Sequence, residues 1–127
     1  MRNQETKVEL KLPVAAEYVS VARLTASGIA NRIGFDIEAI EDIKVALAEV
    51  CNKLITCKNN ATDYTVIFTI RDKELNISFA CDELSVMSVF QQERDEIGMS
   101  IIEALMDSFE IGSANTFILS MSKRVEV

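Results

Sequence analysis

The spacing of apolar residues divides the chain into segments with the periodicities of strands and helices. Residues 6–12 alternate Val8, Leu10 and Leu12 with polar neighbours, which predicts a strand with one buried face. Over residues 17–33 the apolar positions recur every three or four residues, which predicts a first helix. The stripe that this spacing predicts to be buried consists of Tyr18, Val21, Ala22, Thr25, Ile29 and Ile33.

A second helix is predicted to begin after Asp36 and to end at about Thr56. Gly34 follows the first helix, where a glycine commonly forms a left-handed C-terminal cap, and Asp36 stands at the N-cap position of the next helix. Acidic residues in the first turns suit the positive end of this helix. Its predicted buried stripe consists of Ile40, Ile43, Leu47, Val50 and Leu54.

The rest of the chain predicts two hairpins and a third helix. Residues 65–70 and 75–80 are rich in β-branched and aromatic residues and are joined by a short charged link, which predicts a hairpin. Helical spacing resumes at about residue 96, and residues 109–111 and 116–122 predict a closing hairpin. The positions assigned to the third helix are Ile97, Ile101, Ala104, Leu105 and Ser108.

This order of elements predicts an α+β fold. Helices collected on one side of a sheet would cover every apolar face. We therefore expect a two-layer sandwich of about five strands in a mixed, largely antiparallel sheet, with three helices on one face. A chain of 127 residues is long enough for one core, and residues 1–127 are interpreted as a single domain.

Composition narrows the classes of function. A net charge of −7 argues against nucleic acid as the main partner, because that binding needs clustered cations. There is no histidine, and Cys51, Cys57 and Cys81 form no paired motif, so we expect reduced thiols and neither a metal site nor triad hydrolysis. No apolar run could span a bilayer or serve as a signal peptide, which predicts a cytoplasmic protein without a membrane partner.

Four stretches of the sequence resemble the anti-sigma-factor serine kinases, a bacterial branch of the GHKL ATPase superfamily. They are residues 12–35, 38–55, 77–84 and 97–111, and the similarity extends over nearly the whole chain. The resemblance implies the histidine-kinase-like ATPase fold of the Bergerat type. It also implies ATP and magnesium as cofactors, and transfer of phosphate to a serine of an antagonist protein.

The second helix resembles the E-x-x-x-N box of that family, whose glutamate acts as a base or positions water and whose asparagine holds magnesium. Glu49 matches the glutamate, which implies a catalytic role. Lys53 stands in the asparagine's place and the nearest asparagine is Asn52, so both are candidate cofactor-binding residues. One residue turns a helical side chain by about 100 degrees, so Asn52 cannot take the metal role without a local distortion. Lys53 could contact a phosphate or form a surface ion pair with Glu49.

Two further boxes of the family are altered. The box that binds adenine has an aspartate and glycines after a strand, whereas here Asp82 supplies the acid only with a one-residue slip and no glycine follows. The glycine-rich phosphate turn keeps Gly98 at the start of the third helix, but Glu96 replaces the other glycine and would repel phosphate. By resemblance, Asp82 and Gly98 are the remaining cofactor-binding candidates.

The first helix carries the candidate for partner binding. The stretch VARLT places Arg23 in an A-R-x-T pattern whose arginine, in the family, contacts the sigma factor and its antagonist in competition. From spacing alone, an ordinary solvated arginine is the alternative. The resemblance implies a sigma factor and an anti-anti-sigma antagonist as partners, with pairing into a homodimer also expected of this family.

Two functions are consistent with these residues. The favoured interpretation is an anti-sigma-factor-like regulatory domain that binds a sigma factor or its antagonist, with nucleotide binding weakened or lost. The alternative is an active ATP-dependent kinase that phosphorylates a serine of the antagonist. Whether the chain is an enzyme stays open at this point, because a shared fold does not fix an activity.

Overall fold

The computed structural model of the protein describes residues 5–56, 61–81, 97–112 and 118–126. These ranges contain five strands and three α-helices, with a 3-10 helix at Ala16–Tyr18 before the first of them. The order that the sequence predicts, strand, two helices, two strands, helix and two strands, is confirmed. The elements are β1 (Glu5–Pro13), α1 (Val19–Ile33), α2 (Ile37–Thr56), β2 (Asp63–Arg71), β3 (Glu74–Ala80), α3 (Ile97–Leu105), β4 (Ser108–Ile111) and β5 (Leu119–Arg124).

The strands form one sheet in the order β1-β2-β3-β5-β4. Neighbouring strands are antiparallel at all four junctions of these described strands, so the expected mixed component is not seen in them. The reason lies in the connections: β2 and β3 are joined by the two-residue turn Asp72–Lys73, and β4 and β5 also form a hairpin. Asp72 adopts a φ of 55°, a left-handed conformation that aspartate tolerates better than most residues.

Alternate residues of the central strands form the floor of the core. In β2, Tyr64, Val66 and Phe68 are buried, and Phe68 lies opposite the buried Ile77 of β3. The helices contribute the other half of one continuous apolar cluster, in which the predicted α2 residues Ile43, Leu47, Val50 and Leu54 are buried. The predicted two-layer α+β sandwich is therefore confirmed.

Both ends of the α1–α2 connection are fixed by hydrogen bonds that the sequence predicts. Gly34 adopts a φ of 115°, and its N–H and that of Phe35 both donate to the carbonyl of Ala30 at 3.2 Å, which ends α1. The Oδ1 of Asp36 accepts a hydrogen bond from the N–H of Ala39 at 2.8 Å, which caps the start of α2. The two helices are thereby joined by a tight turn and run antiparallel.

The buried side of α1 differs from the predicted stripe. Ala22 and Ile33 are buried as expected, but Tyr18 and Val21 are exposed. A row of alanines at positions 22, 26 and 30 instead faces the core. Small side chains allow a helix to approach its neighbours closely. The alanine side of α1 therefore packs inward, although larger apolar side chains lie on another side of the helix.

Two boundaries in the last third of the chain also differ from the prediction. Helical spacing assigns Ser108 to the third helix, but α3 ends at Leu105 and Ser108 begins β4. The reason is pairing with β5: the N–H of Asp107 donates to the carbonyl of Ser122 at 2.9 Å, which ends the helical pattern. The last strand begins at Leu119 and extends to Arg124, later than the predicted 116–122, and residues 116 and 117 lie outside the described ranges.

Candidate functional site

The fourth and fifth turns of α2 hold the three candidate residues of the E-x-x-x-N stretch. Glu49 and Lys53 are half-buried, whereas Asn52 is exposed. At about 100 degrees per residue, Asn52 lies on the solvent-facing stripe of α2, about 100 degrees from Lys53. The helix is regular here, since the Oγ1 of Thr56 donates to the carbonyl of Asn52 at 2.8 Å within the last turn. The structure therefore places Lys53 about 40 degrees to one side of Glu49 and the exposed Asn52 about 60 degrees to the other side.

Among the described residues, Lys53 included, the Glu49 carboxylate makes no ion pair or hydrogen bond. The surface ion pair that the spacing of four residues predicts is therefore not formed. A half-buried carboxylate without a partner is available to a ligand or to a hydroxyl group of another molecule.

The remaining nucleotide candidates are only partly described. Gly98 lies in the first turn of α3, as the resemblance implies. Asp82 and Glu96 lie outside the described ranges, and so does the segment expected to form a lid. Cys81, which takes the place of the family's aspartate in an ungapped alignment, is half-buried, and its Sγ donates a weak hydrogen bond to the carbonyl of Asp63 at 3.7 Å.

Arg23 lies on α1 with its side chain exposed. In the part of the chain that the structure describes, its guanidinium makes no hydrogen bond or ion pair. Beside it, 72% of Leu24 is exposed, and Val21 is exposed one turn earlier. An unpaired guanidinium next to exposed apolar side chains is the composition found at protein interfaces.

A buried polar pair between α2 and β2 was not found by sequence reasoning. Cys51 on α2 and Tyr64 on β2 are both buried and lie against each other. The Tyr64 hydroxyl has no well-formed hydrogen bond within the described residues, although the thiol is its neighbour. Burial raises the pKa of the Cys51 thiol to about 11, and the contact with Tyr64 offsets only part of this rise. The pKa of the Tyr64 hydroxyl is also raised, mainly by burial and secondly by the neighbouring thiol. Cys51 is thus a neutral thiol in the core, whereas the thiol of Cys81 is half-buried and Cys57 lies outside the described residues.

One cavity among the described residues lies at the opposite end of α2 from these candidates. It measures about 330 Å³ and is lined by residues at the start of α2 and the end of β5, including Asp36, Asp42 and Lys123. From Asp42 to Glu49 the helix rises about 10 Å. A second cavity of about 330 Å³ lies on the open face of the sheet around Thr69 and Asn76. Neither cavity is lined by a predicted site residue.

Two features are absent from the described residues, a helix that could span a membrane and a cluster of metal-binding side chains. No helix in these ranges is long and apolar enough to cross a membrane. Within the same ranges, no group of three or more His, Cys, Asp or Glu side chains is arranged to hold a metal ion.

The comparisons with known proteins agree with one another on the family. A family model described as "Histidine kinase-like ATPase domain" matches residues 12–123. The serine-protein kinase RsbW of Bacillus cereus is 29% identical over 143 aligned positions, which cover 99% of this chain and 89% of the relative. The proteins of the same name from Bacillus mycoides and Bacillus anthracis are each 28% identical with the same coverage. These alignments are longer than the 127 residues of the chain, so the relatives contain segments without a counterpart here.

Proposed function

The chain belongs to the histidine kinase-like ATPase family, and we propose that it serves as an anti-sigma-factor-like binding domain with little or no ATP turnover. Its partner is a sigma factor or that factor's anti-anti-sigma antagonist, and it acts in the cytoplasm. The observation on which the proposal mainly rests is the position of Asn52 and Lys53, three and four residues after Glu49. Lys53 stands where the family's box has its asparagine, and the exposed Asn52 lies about 100 degrees from that position around the helix.

The residues of α2 do not fit magnesium-bound ATP. Magnesium takes oxygen ligands in near-octahedral geometry, and an ammonium group cannot supply one. Four residues after Glu49 the box offers an ammonium group instead of an amide oxygen. The exposed Asn52 lies about 60 degrees from Glu49, on the side opposite to Lys53. The family generally uses a nucleotide and magnesium, and this departure supports the proposal that binding is weakened in this protein.

The surface around Arg23 supports the proposal that the protein binds a protein partner. The guanidinium fork pairs bidentately with carboxylates, and no described residue of the chain occupies it. The neighbouring Leu24 offers apolar area to the same partner. Because both side chains project from one rigid helix, the partner would meet a surface that needs little rearrangement.

The first test is nucleotide binding. A ligand at about one hundred times its dissociation constant stabilises a folded protein by about 2.7 kcal/mol. We expect a thermal-shift titration with Mg-ATP or Mg-ADP to leave the melting temperature of the wild-type protein unchanged. Lys53→Asn, which restores the asparagine of the family's E-x-x-x-N box, is titrated in the same way for comparison with the wild type. A clear upward shift for the wild type would contradict the proposed loss of nucleotide binding.

The second test is partner capture. Co-purification with sigma factors and their antagonists, co-expressed with the protein, should weaken at least tenfold for Arg23→Ala. The melting temperature should stay the same, because Arg23 is exposed and pairs with no described residue. Arg32→Ala is the control, since Arg32 is exposed in the last turn of the same helix. Equal capture by the wild type and Arg23→Ala would remove Arg23 from the interface.

A second candidate function is supported by the unpaired carboxylate of Glu49. In an active serine kinase this group would orient the hydroxyl that accepts the phosphoryl group. Transfer of labelled phosphate from ATP to a co-expressed antagonist, abolished by Glu49→Gln, would favour this candidate over the binding domain. Absence of transfer together with retained partner capture would favour the binding domain.

A further inference from the structure

The exposed large apolar side chains of the described residues are confined to the first part of the helical layer. They are Tyr18, Val21, Leu24, Ile37 and Val45. None of them lies on α3 or on a strand. Apolar side chains gathered on one surface mark an interaction site more often than scattered ones do.

The open face of the sheet, by contrast, is polar and internally satisfied. Asn76, Ser78 and Ser120 form a closed hydrogen-bonded set at 3.0–3.2 Å, and the hydroxyl groups of Ser108 and Ser122 are 2.6 Å apart. These groups have their partners within the sheet. These polar groups of the sheet therefore need no partner from outside, whereas the exposed apolar side chains of the helices are not covered by any described residue.

Two of the five apolar residues lie on α2, whereas Arg23 lies on α1. Ile37 is 80% exposed and Val45 is 42% exposed. The two positions are eight residues apart, which corresponds to about 12 Å along the axis and an angular offset of about 80 degrees, so both lie on the outward side of the helix. We call the surface formed by Ile37, Glu41 and Val45 the α2 outer face.

The α2 outer face is negatively charged. Glu38, Glu41 and Asp42 border the two apolar residues. The cation among them, Lys44, already pairs with Glu41 at 3.1 Å. An apolar pair bordered by carboxylates is complementary to an amphipathic segment that carries lysine or arginine beside its own apolar residues.

We propose that the α2 outer face is a docking surface for a positively charged amphipathic helix of a partner protein. Apolar residues seven or eight positions apart on that helix would contact Ile37 and Val45, and its flanking cations would face Glu38, Glu41 and Asp42. The surface lies on α2, whereas Arg23 lies on α1, and Glu49 follows Val45 by one helical turn. A partner that also holds Arg23 would contact the helical layer at two places.

The test uses two labelled helical peptides that share leucines eight positions apart. One has lysines beside the leucines and the other has glutamates at the same positions. Fluorescence anisotropy should detect binding of the lysine peptide and at least tenfold weaker binding of the glutamate peptide. Ile37→Asn with Val45→Asn should reduce binding of the lysine peptide at least tenfold, whereas Val21→Asn with Leu24→Asn should leave it unchanged.

Hydrogen exchange on the wild-type protein gives a readout that does not depend on variants. The lysine peptide should slow amide exchange in residues 37–48 more than in α1 or the strands. Equal binding of both peptides, unchanged binding by the Ile37 and Val45 variant, or protection located outside α2 would each overturn the proposal. The Arg23→Ala variant should bind the lysine peptide normally, so failure here is distinguishable from failure of the function proposed above.

Discussion

At the scale of single residues, Cys51 and Tyr64 show how polar groups are kept in this core. Both are buried, one on α2 and one on β2, and the Tyr64 hydroxyl lacks a well-formed hydrogen bond among described residues. Burial disfavours the thiolate and the phenolate, which is why both pKa values are raised. The pair therefore contributes apolar packing as long as both groups stay neutral.

This pair predicts a loss of stability at high pH. The thiol has a pKa of 9.0 when unperturbed and about 11 in the folded protein, so between these values the unfolded chain releases a proton that the folded protein keeps. The free energy of unfolding should be unaffected below about pH 9 and should then fall by up to about 3 kcal/mol by pH 11. Urea unfolding at several pH values measures this fall.

Two variants separate the contributions to that fall. Cys51→Ala should show a shallower decrease between pH 9 and 11, because the thiol no longer ionises in the unfolded chain. Tyr64→Phe should be neutral or stabilising near pH 7, since it removes a buried hydroxyl without a partner. Parallel pH profiles for the wild type and Cys51→Ala would show that the thiol is not responsible.

At the scale of elements, the arrangement of α1 and α2 depends on the turn that connects them as well as on the packing of their buried faces. Gly34 ends α1 in a left-handed conformation, and Lys73 adds a cation at the same end, its Nζ donating to the carbonyl of Ile33 at 3.3 Å. Asp36 caps α2 two residues later. Because the turn is this short, it fixes the relative positions of Arg23 on one helix and Ile37 on the other.

The cap of α2 gives a prediction at this scale. Asp36→Ala should lower the free energy of unfolding by about 1 kcal/mol, because the N–H of Ala39 loses its acceptor. Glu38→Ala is the control: it removes an acidic residue from the same turn without removing a cap, and should cost only a few tenths of a kcal/mol. Urea unfolding distinguishes the two. An equal cost for both would indicate that charge alone stabilises this end.

At the scale of the whole molecule, the described elements share one apolar cluster. Buried residues of β1, α1, α2, β2, β3, α3 and β5 all belong to it. No described part of the chain has a separate core, which supports the interpretation of a single domain. Elements that share one core in this way unfold together, because removing one exposes the buried faces of the others.

A single cooperative transition is therefore expected. Helical circular dichroism at 222 nm and tyrosine fluorescence should give coincident thermal curves, because Tyr64 lies in the shared core. Phe68→Ala, at the centre of β2, should lower both transitions together and destabilise the fold by about 3 to 5 kcal/mol. Two separated transitions would contradict a single domain.

The sequence predicted most of the fold for physical reasons that are local. Gly34 and Asp36 have conformational and hydrogen-bonding preferences of their own, so the α1–α2 turn was correct. Alternating apolar residues determined which faces of β2 and β3 are buried. The prediction failed at Val21 and Ser108, where packing against other elements overrides the local pattern. The repeated alanines at positions 22, 26 and 30 were the signal that could have placed α1 correctly.

The amino-acid sequence alone determined the family, the order of the elements and the substitution of lysine for asparagine after Glu49, because these depend on residue types and their spacing. Tertiary structure decided which side chains are available. It left Glu49 without an ion pair to Lys53, exposed Arg23 and Leu24, and brought Cys51 against Tyr64. Such properties depend on the orientation of each helix against the sheet, and residues distant in the chain set that orientation through packing.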